Sequence, residues 1–261
     1  MMSNVVLLLA HIKREWIMTK RYFFNSIGGL VAIFVIFILI FMGYKGFAGN
    51  SEGYGEGLGN LIVGYSMWMF ALIIYQEISD NLRNEAREGI LEQLYMSPYG
   101  YIKVTIFRIF VSVLINFVMV VAVFLIMILI TGRRDLNMDI VSIAPLGILF
   151  LLPVVGLSFM LGGVQLIFKK IDAFMQLVQF ALVALVALPV NGAFIWARFL
   201  PGTLAANLMR DVMVKEAGIM QIPVLSLLST AVIGIGYFLL GLYVFKQCER
   251  NAMKDGSLAH Y

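Results

Sequence analysis

The chain has 261 residues, of which 61% are hydrophobic and only 13% charged, with a net charge of +4. A soluble domain carries about a quarter charged residues, so a water-soluble globule is excluded. The small positive balance is read as membrane topology rather than nucleic-acid binding, and the single cysteine, Cys248, excludes an intrachain disulfide.

The apolar residues gather in runs of about 20, the length that crosses a bilayer core as a helix. The short alternating strands of a membrane barrel are missing. The expected fold is an all-α membrane protein, one transmembrane domain with six transmembrane helices. Residues 1–21 come first, with Val5, Leu8, Leu9, Ile12 and Trp16 near one face and Lys13, Arg14 and Lys20 available to anionic headgroups. They read as an interfacial helix or as a frayed extension of the first span.

Spans are predicted at 22–42, 58–78, 104–130, 140–168, 173–196 and 222–245. Glycines 53 to 59 predict a flexible outer connection. Arg108, one turn inside the third span, is expected to snorkel to the cytoplasm. The fourth span contains Pro145 and Pro153, and Pro189 predicts a break late in the fifth. Residues 198–221 have mixed polarity, with Leu204, Leu208 and Val212 repeating every fourth position. They predict a short helix, either lying on the outer surface or re-entering the bilayer.

Most of the 19 Lys and Arg residues fall on the side that holds both termini and residues 80–98. That side is therefore cytoplasmic. Lys45, Arg133, Arg134, Arg198, Arg210 and Lys215 fall on the other, where Arg133 and Arg134 break the rule beside Asp135 and Asp139.

Between Asp80 and Pro98 the sequence is DNLRNEAREGILEQLYMSP. As a helix it puts Ile90, Leu91, Leu94 and Tyr95 on one stripe. Glu88 and Glu92 stand one turn apart, as do Arg83 and Arg87. Gly89 removes bulk at the centre, and Pro98 marks a stop. Such a segment, joined directly to two spans, is either a stiff element that a soluble partner can push or a solvated connecting loop.

The pattern Glu85-x-x-Glu88-Gly89-x-Leu91-Glu92-x-Leu94, followed by Ser97-Pro98, resembles the EGTLEQL…SP signature of ABC type-2 transporter permeases, with Ile90 in place of the usual Thr. The segment Phe199 to Met213 is similar to a stretch of the same family that has Pro, then Thr, then Leu-x-Arg, here Pro201, Thr203, Leu208 and Arg210. The resemblance implies that 80–98 is a cytoplasmic coupling segment packed against a separate ATP-binding subunit. It makes Arg83, Arg87, Glu88, Gly89, Leu91, Glu92 and Leu94 candidates for coupling. It implies an assembly of two membrane subunits, identical or different, with two ATPase subunits that bind the ATP and Mg. This chain would bind no cofactor itself.

No G-x-x-x-x-G-K-[ST] phosphate loop is present. Gly53-Tyr54-Gly55 has the letters of a potassium filter but sits between Glu52 and Glu56 without a pore helix. Gly64-Tyr65-Ser66 puts a serine in a span, yet the only histidines, His11 and His260, lie near the termini and offer it no base. No metal-site spacing occurs, and no catalytic residue is assigned. Asn116, Gln176, Gln179 and Asn191 either line a path or bond helices together. The expected function is the permease subunit of an exporter in a prokaryotic plasma (inner) membrane, moving an apolar or amphiphilic cargo. The alternatives are a non-transporting scaffold or sensor that recruits a cytoplasmic partner and, with no acid–base group to support it, an intramembrane lipid-modifying enzyme.

Overall fold

Hydrocarbon offers a backbone no hydrogen-bond partner but itself, and the described chain is helical with no strand. A computed structural model describes residues 2–21, 23–49, 53–87, 100–133, 135–168 and 171–254. The helices are α1 (Met2–Arg21), α2 (Phe23–Ala48), α3 (Tyr54–Arg87), α4 (Tyr101–Thr131), α5 (Ile140–Phe168), α6 (Asp172–Ala187), α7 (Thr203–Val214) and α8 (Val224–Lys254). Two 3-10 segments, Gly192–Phe199 and Ile219–Gln221, flank α7.

Five helices are long and apolar enough to cross a membrane: α2, α3, α4, α5 and α8. The chain is a multi-pass membrane protein. Large apolar side chains such as Phe24, Phe47, Leu129, Val141 and Leu225 stand exposed, as lipid-facing residues do. The helix expected over 173–196 stops at Ala187. Leu188 turns to extended backbone because Pro189 cannot continue the hydrogen-bond ladder.

The Gly-rich connection expected at 53–59 is instead the first turns of α3. Tyr44 stacks on Tyr54 with ring centroids 5.4 Å apart and donates a hydrogen bond to its carbonyl. A side chain at Gly57 would collide with that same Tyr44 hydroxyl, so close packing overrides the low helix propensity of glycine.

Helix α3 is the hub, packing against α2, α4, α5, α6 and α7. Ile62, Met69, Ile74 and Tyr75 on it are fully buried. Two helices share its length. Helix α6 runs antiparallel to it, with Met175 against Tyr75 and Val186 against Gly64. Helix α7 continues in the same direction, with Arg210 at Gly64 and Val214 at Gly59. The chain between them leaves the α3 surface and returns. Asn207 ties the junction: its amide donates to Leu188 O (2.9 Å) and Thr203 O (2.8 Å), and its side-chain oxygen accepts from Val190 N.

The most extensive contact joins α5 and α8. Leu149 meets Gly234, Gly156 meets Gly241 and Gly163 meets Cys248. Both helices advance together at a heptad interval, so they run parallel and keep one seam facing. Glycine lets the backbones touch: a Cβ at Gly163 would stand 2.9 Å from Phe245 Cα, and one at Gly241 would stand 2.8 Å from Gly156 Cα. In lipid this close packing replaces the hydrophobic force as the source of association.

The connection after α4 answers its own charges. Arg133 pairs with Asp135 at 2.8 Å. Asp139 bonds Ser142 and accepts from Val141 N at the start of α5. Arg134 lies outside the described residues.

Candidate functional site

The polar residues of this apolar chain converge where α3 ends and α4 begins. Arg108 Nη2 lies 2.5 Å from Glu85 Oε1, with both side chains almost wholly buried. Arg108 therefore does not snorkel. It sits two turns into α4, opposite the last turn of α3, and a buried carboxylate is a closer answer to its charge than the headgroup region. Arg108 Nε and Nη1 and Glu85 Oε2 have no further hydrogen-bond partner among the described residues, so each charge depends on the other.

One turn deeper, a chain of hydrogen bonds crosses the same interface. Asn116 donates to Ser112 Oγ, Ser112 Oγ donates to Glu77 Oε2 (2.9 Å), and Asn81 donates to Glu77 Oε1 (2.7 Å). Helix α1 completes the cluster by packing on α4. It brings in buried His11 and partly buried Arg14 and Glu15, the latter two paired at 3.4 Å. Its opposite face leaves Leu9, Ile12 and Trp16 exposed, with Lys20 Nζ 4.9 Å from the centre of the Trp16 ring.

Burial lowers the His11 pKa from 6.5 to about 4, helped by the positive charges of Arg108 and Arg14. Burial, then the negative charge of Glu77, raises the Glu15 pKa, against Arg14 and Arg108. The charges that act on His11 are Arg14 on its own helix and Arg108 from α4, while Glu15 answers to Glu77 from α3 and to the same two arginines. Between pH 6.5 and about 4 an undocked α1 takes up a proton on His11 that the docked helix refuses. Docking is held fully above that window and weakens as pH falls through it. Glu15 has the opposite slope, because the docked form keeps its proton above 4.5. We expect hydrogen exchange of α1 amides, corrected for intrinsic rate, to speed up on acidification across this window. In His11→Phe only the opposite slope of Glu15 should remain.

Of the residues assigned to coupling, Arg83 and Arg87 lie in the last turns of α3, and their side chains are outside the description. Glu88, Gly89, Leu91, Glu92 and Leu94 lie outside the described residues. Glu85 and Arg108 flank them on both sides. Asn116 belongs to the polar cluster, Gln176 is exposed on α6, Gln179 is partly buried there, and Asn191 caps the 3-10 segment at Gly192. No hydrogen bond among the described residues joins these four.

The site's own members escaped the sequence reading in part. Glu85 carried a signal, as the first letter of the charged motif. His11 and Ser112 carried none, because nothing local shows which helix faces they meet. Among the described residues no group of His, Cys, Asp and Glu could hold a metal ion. Chemically the cluster is a clamp: one ion pair and a hydrogen-bond chain tie α3 to α4, and α1 packs on α4 at the same end of the bundle. No protein-family model matches the chain, and no curated protein matches it.

Proposed function

We propose that this chain is the membrane-spanning subunit of an ATP-driven ABC exporter that moves an apolar or amphiphilic cargo. The observation that carries the reading is the buried Glu85–Arg108 pair. It ties the two helices that enter and leave residues 88–99 to each other and, through the polar cluster, to α1. That charged segment continues directly from α3, and α3 touches five other helices. A lever joined so directly to the hub is what coupling to a soluble motor needs.

On this reading residues 80–98 and both termini face the cytoplasm, and α1 lies in the inner interface with Leu9, Ile12 and Trp16 toward lipid. Helix α6, 16 residues long, reaches about 24 Å at 1.5 Å per residue and falls short of a hydrocarbon core of about 30 Å. Helix α7 supplies the rest, so the fifth of the six crossings is made of two half-helices and residues 198–221 are re-entrant. Broken crossings of this kind place irregular backbone where it lines a pathway. Two membrane subunits and two ATPase subunits complete the assembly, and ATP and Mg belong to the ATPase.

The test is purification from the native host with an affinity tag, followed by ATPase and export assays in lipid. We expect an ATP-binding subunit to copurify and cargo to stimulate hydrolysis. Glu88→Ala and Glu92→Ala should leave insertion intact but cut export about tenfold or more, as losing a charged hydrogen bond of about 1.5–3 kcal/mol does. A chain that purifies with a kinase or other signalling protein, and no ATPase, is a scaffold instead.

A further inference from the structure

A charge carried into the membrane persists only where something answers it. Arg108 has Glu85 and Arg133 has Asp135. Arg210 has no such partner among the described residues. It stands where α3, α6 and α7 meet: a Cβ built at Gly64 would lie 3.9 Å from Arg210 Nε and 4.0 Å from Val186 Cγ1. Arg210 Nε and Nη2 are both buried, and neither meets an acceptor among the described residues.

The obvious local acceptors are already engaged. Asp211, the adjacent carboxylate, pairs with Lys215 at 2.9 Å and offers Arg210 only a through-space attraction. The carbonyl of Leu188, at the end of α6, is taken by Asn207. Gly64, the residue of α3 beside Arg210 Nε, presents no side chain to accept from it. A planar fork of N–H donors without acceptors, beside a break in a membrane crossing, fits one chemistry: a carboxylate or phosphate, which takes two parallel hydrogen bonds from it.

We propose that Arg210 binds a carboxylate or phosphate group at the α6–α7 break, carried there by an amphiphilic molecule. The assignment of that molecule as cargo rests on the export reading above; the anion site does not.

The experiment uses the full chain in a neutral detergent, without ATP or partner. Binding of pyrene-labelled phosphatidylglycerol is compared with that of pyrene-labelled phosphatidylcholine, and unlabelled phosphatidylglycerol or inorganic phosphate is added as competitor. Wild type should prefer the anionic lipid, and Arg210→Gln should reduce that preference by about tenfold or more, the loss expected for charged hydrogen bonds. Arg198→Gln, at an exposed site, should keep it. Arg210→Lys retains the charge but not the fork and should show a smaller loss; it carries the test if the glutamine variant does not fold. Displacement by the lipid alone names an amphiphile as the bearer. Equal displacement by inorganic phosphate names a free anion at the same arginine and removes the amphiphile. A lipid preference unchanged in both Arg210 variants overturns the site. If the preference depends on Arg210 but no ATPase accompanies the chain, the site stands and the export reading falls.

Discussion

Glu85→Leu is expected to destabilise the protein by about 3–5 kcal/mol, the cost of leaving one member of a buried ion pair without the other. The geometry puts this pair at the upper end of that range. Both side chains are more than nine-tenths buried, and the remaining guanidinium nitrogens Nε and Nη1 of Arg108 have no alternative acceptor among the described residues. Arg108→Met should cost a similar amount by orphaning Glu85. The double variant Glu85→Leu/Arg108→Met removes both charges and should regain most of the loss, since well-packed apolar side chains replace such pairs at little cost. Unfolding followed by tryptophan fluorescence during denaturing-detergent titration checks all three. The functional readout separates clamp from filler. On the proposed coupling role, the double variant stays folded yet transmits less of the ATPase stroke. Two single variants no less stable than wild type would show that the pair contributes nothing.

Gly156→Leu and Gly241→Leu are expected to prevent α5 and α8 from docking. At either position the first side-chain carbon would run into backbone of the facing helix, Tyr237 O for Gly156 and Gly156 O for Gly241. Backbone cannot rotate aside as a long side chain can. The penalty therefore exceeds the roughly 1–3 kcal/mol of ordinary overpacking. Gly147→Leu on α5 and Gly236→Leu on α8 are the controls. Nothing lies within 4 Å of a Cβ at either site, and leucine favours the helix over glycine by somewhat under 1 kcal/mol. Fluorescence-detected size-exclusion chromatography of membrane extracts should show the first pair aggregated and the second pair monodisperse.

Much of this fold is written in local sequence. Runs of apolar residues placed the long helices, and Pro189 placed the end of α6 within two residues. Pro145 and Pro153 do not end α5, because neighbouring helices can satisfy the backbone groups that a membrane proline frees. What the sequence hides is which faces meet. Arg108 looks like a snorkelling residue from its distance to the span edge, and only the return of α3 past α4 supplies Glu85. The Gly-rich start of α3 has loop composition, and its helical state comes from Tyr44, outside the segment. Gly156 and Gly241 lie in different predicted spans, so the seam between them has no local trace. The charged motif at 85–94 is the reverse case. Its letters are plain in the sequence, and the structure adds the pairing of its first residue, Glu85, with Arg108.

The parallel seam of α5 and α8 also constrains how the protein is made. The groove around Gly156 and Gly163 leaves the ribosome long before the helix that fills it. Until α8 is synthesised, the nascent chain holds a bare, tightly shaped surface in the membrane. A stalled or truncated product ending before Val224 would keep that surface uncovered, and membrane quality-control proteases would have time to find it.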